Sequence, residues 1–335
     1  MIQWFDGTVL GIETSCDETS AALVRHGQVL SNVVASQAEL HSRWGGIVPE
    51  AAARAHVESL VPVLDAAVGK SRPDAVAVTN RPGLVGALAV GVAAAEGLAL
   101  AWDVPLVGVH HLEGHILSIL ADREPPPFPH LCLIVSGGHT ELIEVTLPCE
   151  YRTVAETLDD AAGEAFDKCA RLLGLGYPGG AALEVLARSG TPGKYRLPVA
   201  VRHDDRHFSF SGLKTAALRL VESEGDGIDP ASAALGVQRA IVESLAGKVD
   251  RVLRECDAAT VTLVGGVAAN TALRTDIEAV ATRWGRGFVA ARPDLSTDNA
   301  AMIAIAGSIR LARGERASSL EASAQSAIPG CKPIS

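Results

Sequence analysis

The 335-residue chain has few aromatic residues, which already narrows its class. Aromatics make up 4% of the sequence and hydrophobic residues 48%, so the core must be built from Ala, Val, Leu and Gly, as in a tightly packed α/β protein. This composition excludes a disordered chain. The length corresponds to about two domains, and a chain of this size buries enough surface to fold without disulfides.

The sequence also lacks paired cysteines and an excess of basic residues. The six cysteines stand at positions 16, 132, 149, 169, 256 and 331, with no CxxC pair. This spacing argues against a structural zinc cluster and predicts free thiols in a reducing cytosol. Because the net charge is −10, any contact with nucleic acid must use a local patch or a partner.

No leader and no membrane span are predicted. Residues 1–6 lack the basic stretch and apolar run of a signal peptide. The most apolar stretch begins at Leu84, and Glu96 interrupts it before the roughly 18 uncharged residues that a span needs. Its Gly and Ala content predicts a buried helix packed closely on a sheet. We expect a soluble, cytoplasmic protein without a membrane partner.

The pattern of apolar runs predicts two similar domains. The first, 1–124, reads as βββαβαβα, with a meander of three strands at its start. A proline-rich connection at 125–130 predicts a boundary. The second domain, 131–316, opens in the same way with strand, small polar turn and strand. The last helix, from about 298 to 313, is free to pack back on the first domain, and the tail 317–335 is predicted to fray.

This weak duplication is typical of the α/β actin–hexokinase-like (ASKHA) fold. In that architecture two βββαβαβα domains close on a nucleotide, so a ligand cleft between the domains is expected.

Two histidines at helical spacing are the first candidate for chemistry. His111 and His115 fall on one helix face, about 5–6 Å apart at Cβ, so both imidazoles can hold one metal ion. Spacing alone favours an ordinary histidine pair over a metal site. Zincin peptidases place glutamate directly after the first histidine, whereas Glu113 projects about 200° away from His111. The pattern therefore suits metal binding better than peptide hydrolysis.

Two glycine turns could bind phosphate. Ser136-Gly137-Gly138-His139 lies between two predicted strands, and Gly265-Gly266 joins a buried strand to a helix that begins near Asn270. Exposed backbone N–H groups in such turns attract anions, and Asn270 is placed to read a sugar or a base. Ordinary hairpin and βα turns explain both segments as well.

Acidic residues supply further candidates. Asp298 is predicted in the first turn of the last helix, where acids are common for dipole reasons alone; beside the two histidines it becomes a candidate third ligand. Asp160, Glu164 and Asp167 are predicted on one helical face, either solvated or facing a sugar hydroxyl or Mg²⁺. Gly174–Gly179 matches GxGxxG but follows a helical stretch, so it is no dinucleotide fingerprint.

Taken together, ten ordered segments resemble the TsaD family, formerly called O-sialoglycoprotein endopeptidases. They contain GIETSCDET at 11–19, GGIVPE at 45–50, PGLVG at 82–86, the helix of His111 and His115, VSGGHT at 135–140, residues 159–168, YPGG at 177–180, FSFSGLKT at 208–215, GGV at 265–267 with Asn270, and TDN at 297–299. The resemblance implies transfer of threonylcarbamoyl from threonylcarbamoyl-AMP to N6 of adenosine 37, in tRNAs that read codons beginning with A.

The resemblance also implies site residues, with no general base assigned. The matching metal ligands are His111, His115 and Asp298. The residues matching the nucleotide contacts are Ile134, Val135, Ser136, Gly137, Gly138, Asp167, Gly180 and Asn270. Further candidates are Glu13, Ser15, His139 and Glu184.

The cofactor and the partners are likewise implied by the resemblance. The implied cofactor is one divalent ion, Fe²⁺ or Zn²⁺, with Mg²⁺ where a nucleotide such as ATP is bound. The partners are tRNA, a TsaB-like paralogue and a TsaE-like ATPase, while a TsaC-like synthase supplies the adenylate. For phosphate contacts, the candidates are Arg202, Arg206 and Lys214, or Arg310 and Arg313.

Three positions depart from the family pattern, and three other functions stay open. Arg81 replaces a glycine, Glu96 replaces a basic residue and Glu184 stands where relatives have aspartate; the first two put local loop shape and partner contacts in question. The main alternative is an ATP-dependent small-molecule kinase on the same fold. A metallopeptidase and a non-catalytic scaffold are the others.

Overall fold

The computed structural model describes residues 2–199, 207–328 and 330–332. The chain forms two compact units. Unit 1 contains Met1–Pro126, Leu147–Tyr151 and Asp294–Cys331, and unit 2 contains Pro127–Thr146, Arg152–Pro293 and Lys332–Ser335. The first crossing between units falls inside the proline-rich connection. Residues 294–316, predicted in the second domain, belong to unit 1.

Unit 1 is built on a mixed five-stranded sheet. Its strands are β1 (Thr8–Glu13), β2 (Glu18–Arg25), β3 (Gln28–Ser36), β4 (Ala75–Arg81) and β5 (Leu106–His110), in the order β3-β2-β1-β4-β5. Its helices are α1 (Ala38–Ser42), α2 (Pro49–Val68), α3 (Val85–Trp102), α4 (His111–Leu117) and, from the end of the chain, α10 (Ala300–Ala312). The predicted βββαβαβα order is present, with the short α1 added.

Unit 2 repeats the sheet of unit 1 with more helices. Its strands are β6 (His130–Val135), β7 (Thr140–Leu147), β8 (Glu150–Glu156), β9 (Thr260–Val264) and β10 (Gly287–Ala290), in the order β10-β9-β6-β7-β8. Its helices are α5 (Ala162–Leu172), α6 (Gly179–Ala187), α7 (Ser211–Glu224), α8 (Pro230–Leu253) and α9 (Thr271–Arg283). The identical strand order confirms the duplication. Four helices follow the third strand, where the repeat predicts one.

Close packing on the sheet explains why α10 belongs to unit 1. A Cβ on Gly11 of β1 would meet the backbone of Ala300, and a Cβ on Gly307 of α10 would meet Ala77 of β4. Glycine at both positions lets the helix lie directly on the central strands. Every residue of α10 except Arg310 and Ala312 is buried, so the helix contributes its apolar surface to the core of this unit.

Helix α3 carries the most apolar stretch of the chain. Among the described residues it is the one helix long and apolar enough to cross a membrane, and one third of it is buried in the structure. Its buried face packs on β4 and α2, and Gly91 allows a close approach to Thr14. The packing on a sheet is as predicted, but the prediction of a buried helix is wrong, because only one third of α3 is buried and Val85 and Leu100 at its two ends are exposed.

The prediction that the tail frays is wrong for residues 317–323. Ala317 N donates to Leu106 O at 2.9 Å, and Ser323 N donates to Asn80 O at 2.9 Å. Leu320 N donates to Glu96 Oε1 at 2.7 Å. Glu96, where the family pattern has a basic residue, therefore anchors the tail against unit 1. The six cysteines are free, as predicted.

Candidate metal centre and glycine turns

Two histidines of α4 and one aspartate converge in unit 1. His111 Nε2 lies 3.4 Å and His115 Nε2 lies 3.1 Å from Asp298 Oδ1. The histidine rings meet edge to face, with centroids 4.7 Å apart. One ligand atom from each residue lies within 4.8 Å of the other two. Both histidines are buried, whereas 21% of the Asp298 side chain is exposed, so the cluster extends from the interior of the unit to its surface.

A buried carboxylate orients the first histidine from behind. Glu13, at the end of β1, has Oε2 3.0 Å from His111 Nδ1 and accepts from Thr79 Oγ1 at 2.6 Å. Its other oxygen accepts from Ser15 N at 2.5 Å, while Ser15 Oγ lies 3.2 Å from the same Nδ1. A carboxylate that accepts Nδ1–H fixes the tautomer in which Nε2 is free to ligate a metal.

The charges in the cluster support one another. Burial opposes protonation of His111, but Asp298 and Glu13 outweigh it and hold the pKa of His111 well above its ordinary value. In turn, and against the effect of burial, His111 lowers the pKa of both carboxyl groups, strongly for Asp298. Without a metal, a protonated imidazole thus supplies the positive charge that two buried carboxylates need.

Beside the cluster, the pKa of the Glu18 carboxyl group is raised, whereas the pKa of Glu13 and of Asp298 is lowered. Burial raises the pKa of Glu18 to about 10, with the carboxylates of Asp298 and Asp17 adding to the effect. Glu18 is therefore neutral at pH 7, and it adds no third negative charge near the two ionised acids.

Asp298 lies outside the helix in which it was predicted. Helix α10 begins at Ala300, and Asn299 is its N-cap, with Oδ1 accepting from Met302 N at 3.1 Å. Because Asn299 takes the capping position, Asp298 stays in the preceding loop and its carboxylate reaches α4. The prediction of a first-turn acid is wrong, but the candidate triad it belongs to is assembled.

The donor set of this cluster suits a divalent metal. Two imidazole nitrogens point at one carboxylate oxygen, and in the described part of the chain His115 Nδ1 has no hydrogen-bond partner. Two nitrogens and one oxygen are donors that Zn²⁺ and Fe²⁺ accept. The three residues can therefore hold one ion and leave other coordination positions open.

On the opposite face of α4, Glu113 is engaged in an ion pair. Its Oε2 accepts from Arg310 Nε at 2.5 Å, and its Oε1 accepts from Tyr151 OH at 2.9 Å. Glu113 is fully buried. Burial of Arg310 favours its neutral form, but Glu113 outweighs this and raises the pKa of the guanidinium. The glutamate points away from the triad, as the helical spacing predicts, and cannot activate a metal-bound water.

The glycine turns of unit 2 lie where two parallel strands end. In β6 and β9, Ile134 pairs with Val264, so both strands end at the same edge of the sheet. After β9, Gly265 adopts a φ of +91° and its Cα approaches Val135 O too closely for a side chain. In open α/β sheets, ligands bind at the carboxyl ends of the strands.

Residues 136–139 form the predicted turn between β6 and β7. Ser136 N donates to His139 O at 2.9 Å, and His139 N donates to Ser136 Oγ at 3.1 Å. A Cβ on Gly137 or Gly138 would meet nothing within 4 Å, so the two glycines present open backbone. Gly163 N, at the start of α5, donates to Ser136 O at 3.2 Å and so ties the turn to this helix.

Asp167 and Gly180 meet at the start of α6. Asp167 Oδ1 accepts from Gly179 N at 2.8 Å and from Gly180 N at 3.0 Å. A Cβ on Gly179 would collide with Ala170, whereas Gly180 has room for one. The tight turn therefore requires glycine at 179, and the carboxylate occupies the two N–H groups that open this helix.

Asn270 and Glu184 have internal partners in this structure. Asn270 is the N-cap of α9; its Oδ1 accepts from Leu273 N at 2.9 Å and its Nδ2 donates to Gln238 Oε1 at 3.0 Å. Glu184 Oε1 accepts from Thr271 N at 3.1 Å. Both side chains thus support the start of α9, next to the turn of Gly265 and Gly266.

The predicted acidic face on α5 does not form. Asp160 precedes the helix, which begins at Ala162. Lys168 Nζ lies 2.7 Å from Asp160 and 2.9 Å from Glu164, while Asp167 turns to α6. The three acids therefore diverge, and two of them share an ion pair with one lysine.

The predicted phosphate contacts divide into three groups. Arg202 and Arg206 lie outside the described residues. Arg310 is held between Glu113 and Glu315, at 2.5 Å from each, so the prediction for this residue is wrong: it is an internal counter-ion. Arg313 donates to Pro148 O at 3.4 Å. Lys214 lies on the exposed side of α7.

Comparison with known proteins identifies the family. The family model described as "TsaD: tRNA N6-adenosine threonylcarbamoyltransferase" matches residues 28–305. The chain belongs to the TsaD family. A protein of that name from Anaeromyxobacter dehalogenans strain 2CP-C is 53% identical over 319 residues, covering 92% of this chain and 96% of the relative. One from Thermomicrobium roseum is 49% identical over 346 residues, covering 92% and 93%. The protein is an enzyme of the acyltransferase class.

Solved structures show the fold. Full-length HypF in its phosphate- and nucleotide-bound form aligns with a TM-score of 0.60 at 12% identity, covering 93% of this chain and 47% of that one. A ROK family glucokinase from Streptomyces griseus, in complex with glucose and AMPPNP, aligns with a TM-score of 0.52 at 13% identity, covering 92% and 100%. The predicted ASKHA fold is confirmed.

Sequence reasoning missed Thr79 and Tyr151 and gave Arg310 a different role. Thr79 holds Glu13, while Tyr151 and Arg310 hold Glu113. A buried threonine at a strand end and a single arginine in an apolar helix are visible in the sequence. Their partners are 66 and 197 positions away, and no local pattern connects them.

Proposed function

We propose that this enzyme transfers the threonylcarbamoyl group from threonylcarbamoyl-AMP to N6 of adenosine 37 in tRNAs that read codons beginning with A. The observation that carries the proposal is the buried cluster of His111, His115 and Asp298, with Glu13 behind it, in a chain of the TsaD family. The reaction takes place in the cytoplasm, where such an RNA substrate is found.

The rate of this reaction depends more on positioning the two reactants than on activating either of them. The N6 amine attacks the carbamoyl carbon, the bond from that carbon to the phosphate oxygen breaks, AMP leaves, and N6 gives up a proton. The mixed anhydride is already activated, so most of the rate comes from holding a weak nucleophile against it. Gly137 and Gly138, in the turn of residues 136–139, offer open backbone for the adenylate.

His111, His115 and Asp298 would hold one divalent ion, Fe²⁺ or Zn²⁺. When bound, the ion supplies a Lewis acid for the carbonyl or a counter-charge for the departing phosphate. Glu13 keeps His111 in the tautomer with a free Nε2. Any Mg²⁺ would enter with a nucleotide such as ATP.

The geometry argues against the other functions. A metallopeptidase needs a water-activating glutamate, and Glu113 is bound to Arg310 and Tyr151. A small-molecule kinase would leave the buried triad without a role. A non-catalytic scaffold would have no need of it either.

The chain would work with partners. Val57 and Val61 of α2 are one turn apart, and both are 63% exposed. They give this helix a small exposed apolar surface. We expect a TsaB-like paralogue there, with a TsaE-like ATPase acting on the pair and a TsaC-like synthase supplying the adenylate. Because the net charge is −10, tRNA contacts depend on local cations such as Lys214 and on the partners.

The test is reconstituted transfer. The chain is mixed with unmodified tRNA, threonine, bicarbonate, ATP and the partner proteins, and the digested tRNA is analysed for threonylcarbamoyladenosine by mass spectrometry. We expect product from the wild type, loss of it in His111→Ala and Asp298→Ala, and normal yield in the control His26→Ala, which alters an exposed histidine. Absence of product with partners that support a known relative would refute the proposal.

A further inference from the structure

The helix that carries both histidines is too short to define its own geometry. Helix α4 has seven residues, all of them buried, and isolated helices of this length are not stable in water. The orientation of His111 and His115 must therefore come from contacts around α4. A metal centre tolerates little error, because its ligand distances hold to about 0.2 Å.

Two sides of α4 are held by α10 and by the strand before it. A Cβ on Gly114 would lie 2.8 Å from Ile303 Cδ1, so the helices touch at this glycine. His110 Nδ1 accepts from Leu112 N at 3.2 Å at the start of α4, and Ser118 Oγ donates to His115 O at 2.7 Å at its end. These contacts hold α4 against α10 and at its two ends. On the face of the triad, Glu13 also holds His111.

Rotation is opposed by one polar side chain on the face away from the triad. Glu113 is fully buried, and each of its oxygens has its own donor: Arg310 Nε at 2.5 Å and Tyr151 OH at 2.9 Å. Tyr151 is itself fixed, since Cys149 N donates to its hydroxyl at 3.1 Å. Arg310 is the last charged residue of α10, the helix that begins two positions after Asp298.

We propose that Glu113 is a positioning residue for the metal centre, and that the Glu113–Arg310–Tyr151 cluster fixes the rotation of α4 and so the direction of His111 and His115. The inference rests on the proposed metal site. The cluster joins α4, which carries two of the ligands, to α10, which begins two residues after the third ligand. It acts through the helices without touching metal or substrate.

The test measures Co²⁺ binding to the full-length, metal-free protein by its visible absorption. Glu113→Gln keeps the shape of the side chain but removes its charge, and Tyr151→Phe removes one hydroxyl. The matched control is Glu315→Gln, which removes the other, partly exposed carboxylate on Arg310 and leaves Glu113 in place. Thermal unfolding without metal reports on folding separately.

A residue that bonds a metal ligand directly is worth about 10- to 100-fold in affinity. Because Glu113 acts through α4 and bonds no ligand, we expect Glu113→Gln to weaken Co²⁺ binding by about 10-fold, the lower end of that range, and to shift the absorption bands at saturating Co²⁺. Tyr151→Phe should weaken binding a few-fold, and Glu315→Gln should match the wild type. A merely structural role would lower the unfolding temperature but leave the bands of the bound ion unchanged.

The experiment distinguishes failure of the metal centre from failure of this inference alone. Wild type that binds no Co²⁺ refutes the metal centre and this inference with it. Wild type that binds, with Glu113→Gln and Tyr151→Phe equal to it in affinity and spectrum, overturns the inference alone. If Glu113→Gln does not fold, the double variant Glu113→Met, Arg310→Met removes both charges together and takes its place; if neither folds, Tyr151→Phe decides.

Discussion

Two buried histidines, His111 in unit 1 and His130 in unit 2, respond to burial in opposite ways. His130 stands at the start of β6, and among the described residues neither of its ring nitrogens has a hydrogen-bond partner. Burial lowers its pKa to about 4. For His111 burial acts in the same direction, but Asp298 and Glu13 reverse the outcome. Neighbouring carboxylates, more than burial, decide whether an interior histidine carries charge.

The ends of equivalent strands show the same contrast. Both sheets have one strand order, yet the first and fourth strands of unit 1 carry Glu13 and Thr79, and the corresponding strands of unit 2 lead into Ser136 and Gly265. Unit 1 thus gathers charged side chains in its interior, whereas unit 2 offers open backbone. One fold supports two kinds of site because the residues after the strands differ, as is general for widely used folds.

The largest expected effect is on metal affinity as a function of pH. Because the pKa of His111 is raised, a proton competes with the metal until the pH exceeds that pKa. The dissociation constant for Zn²⁺ or Co²⁺ should fall about tenfold per pH unit while one proton is displaced, and then level off.

The charge on His111 stabilises the metal-free fold below pH 6.5, and this contribution is lost as the pH rises through the raised pKa.

The measurement is metal titration over a pH series with His26→Ala as control. A dissociation constant that does not change with pH would contradict the charge assignment for His111.

The second prediction concerns His130 and acid stability. A histidine whose pKa is about 4 in the folded protein and 6.5 unfolded costs stability as the pH falls through that window, because the unfolded chain takes up a proton first. The loss is about 3 kcal/mol below pH 4. In His130→Leu this slope should disappear from urea unfolding curves, while the exposed control His26→Leu should keep it. An unchanged slope in His130→Leu would refute the assignment.

The smallest expected effect comes from removing a helix N-cap, and it distinguishes the cap of α10 from the cap of α9. Asn299 caps α10 in unit 1, and Asn270 caps α9 in unit 2. Each change to alanine should cost about 1 kcal/mol of unfolding free energy. Only Asn299→Ala should also weaken Co²⁺ binding, because Asp298 directly precedes that cap. Equal metal affinity in the two variants would show that the loop holds Asp298 without the cap.

Much of the fold could be predicted, and the errors have physical reasons. Apolar periodicity located the strands of unit 1 and the helices of Leu84 and His111 within a few residues. It misplaced Asp298, because an aspartate and an asparagine in sequence compete for the capping position and Asn299 takes it. It also predicted a frayed tail at 317–323. This was wrong because the residues that hold the segment, Glu96 and Asn80, lie more than 200 positions earlier, where no local pattern reveals the contact.

The amino-acid sequence by itself was enough to predict the family and the repeated sheet, since ordered motifs and apolar runs are visible along the chain. The three candidate metal ligands followed from the resemblance to that family, because the spacing of His111 and His115 alone favours an ordinary histidine pair. Tertiary structure decided what those residues do. It brought Glu13 behind His111, paired Arg310 with Glu113 and, among the described residues, left the ring nitrogens of His130 without a hydrogen-bond partner. Charge states in a protein interior depend on distances of a few ångströms between segments far apart in the chain, and only the folded packing sets those distances.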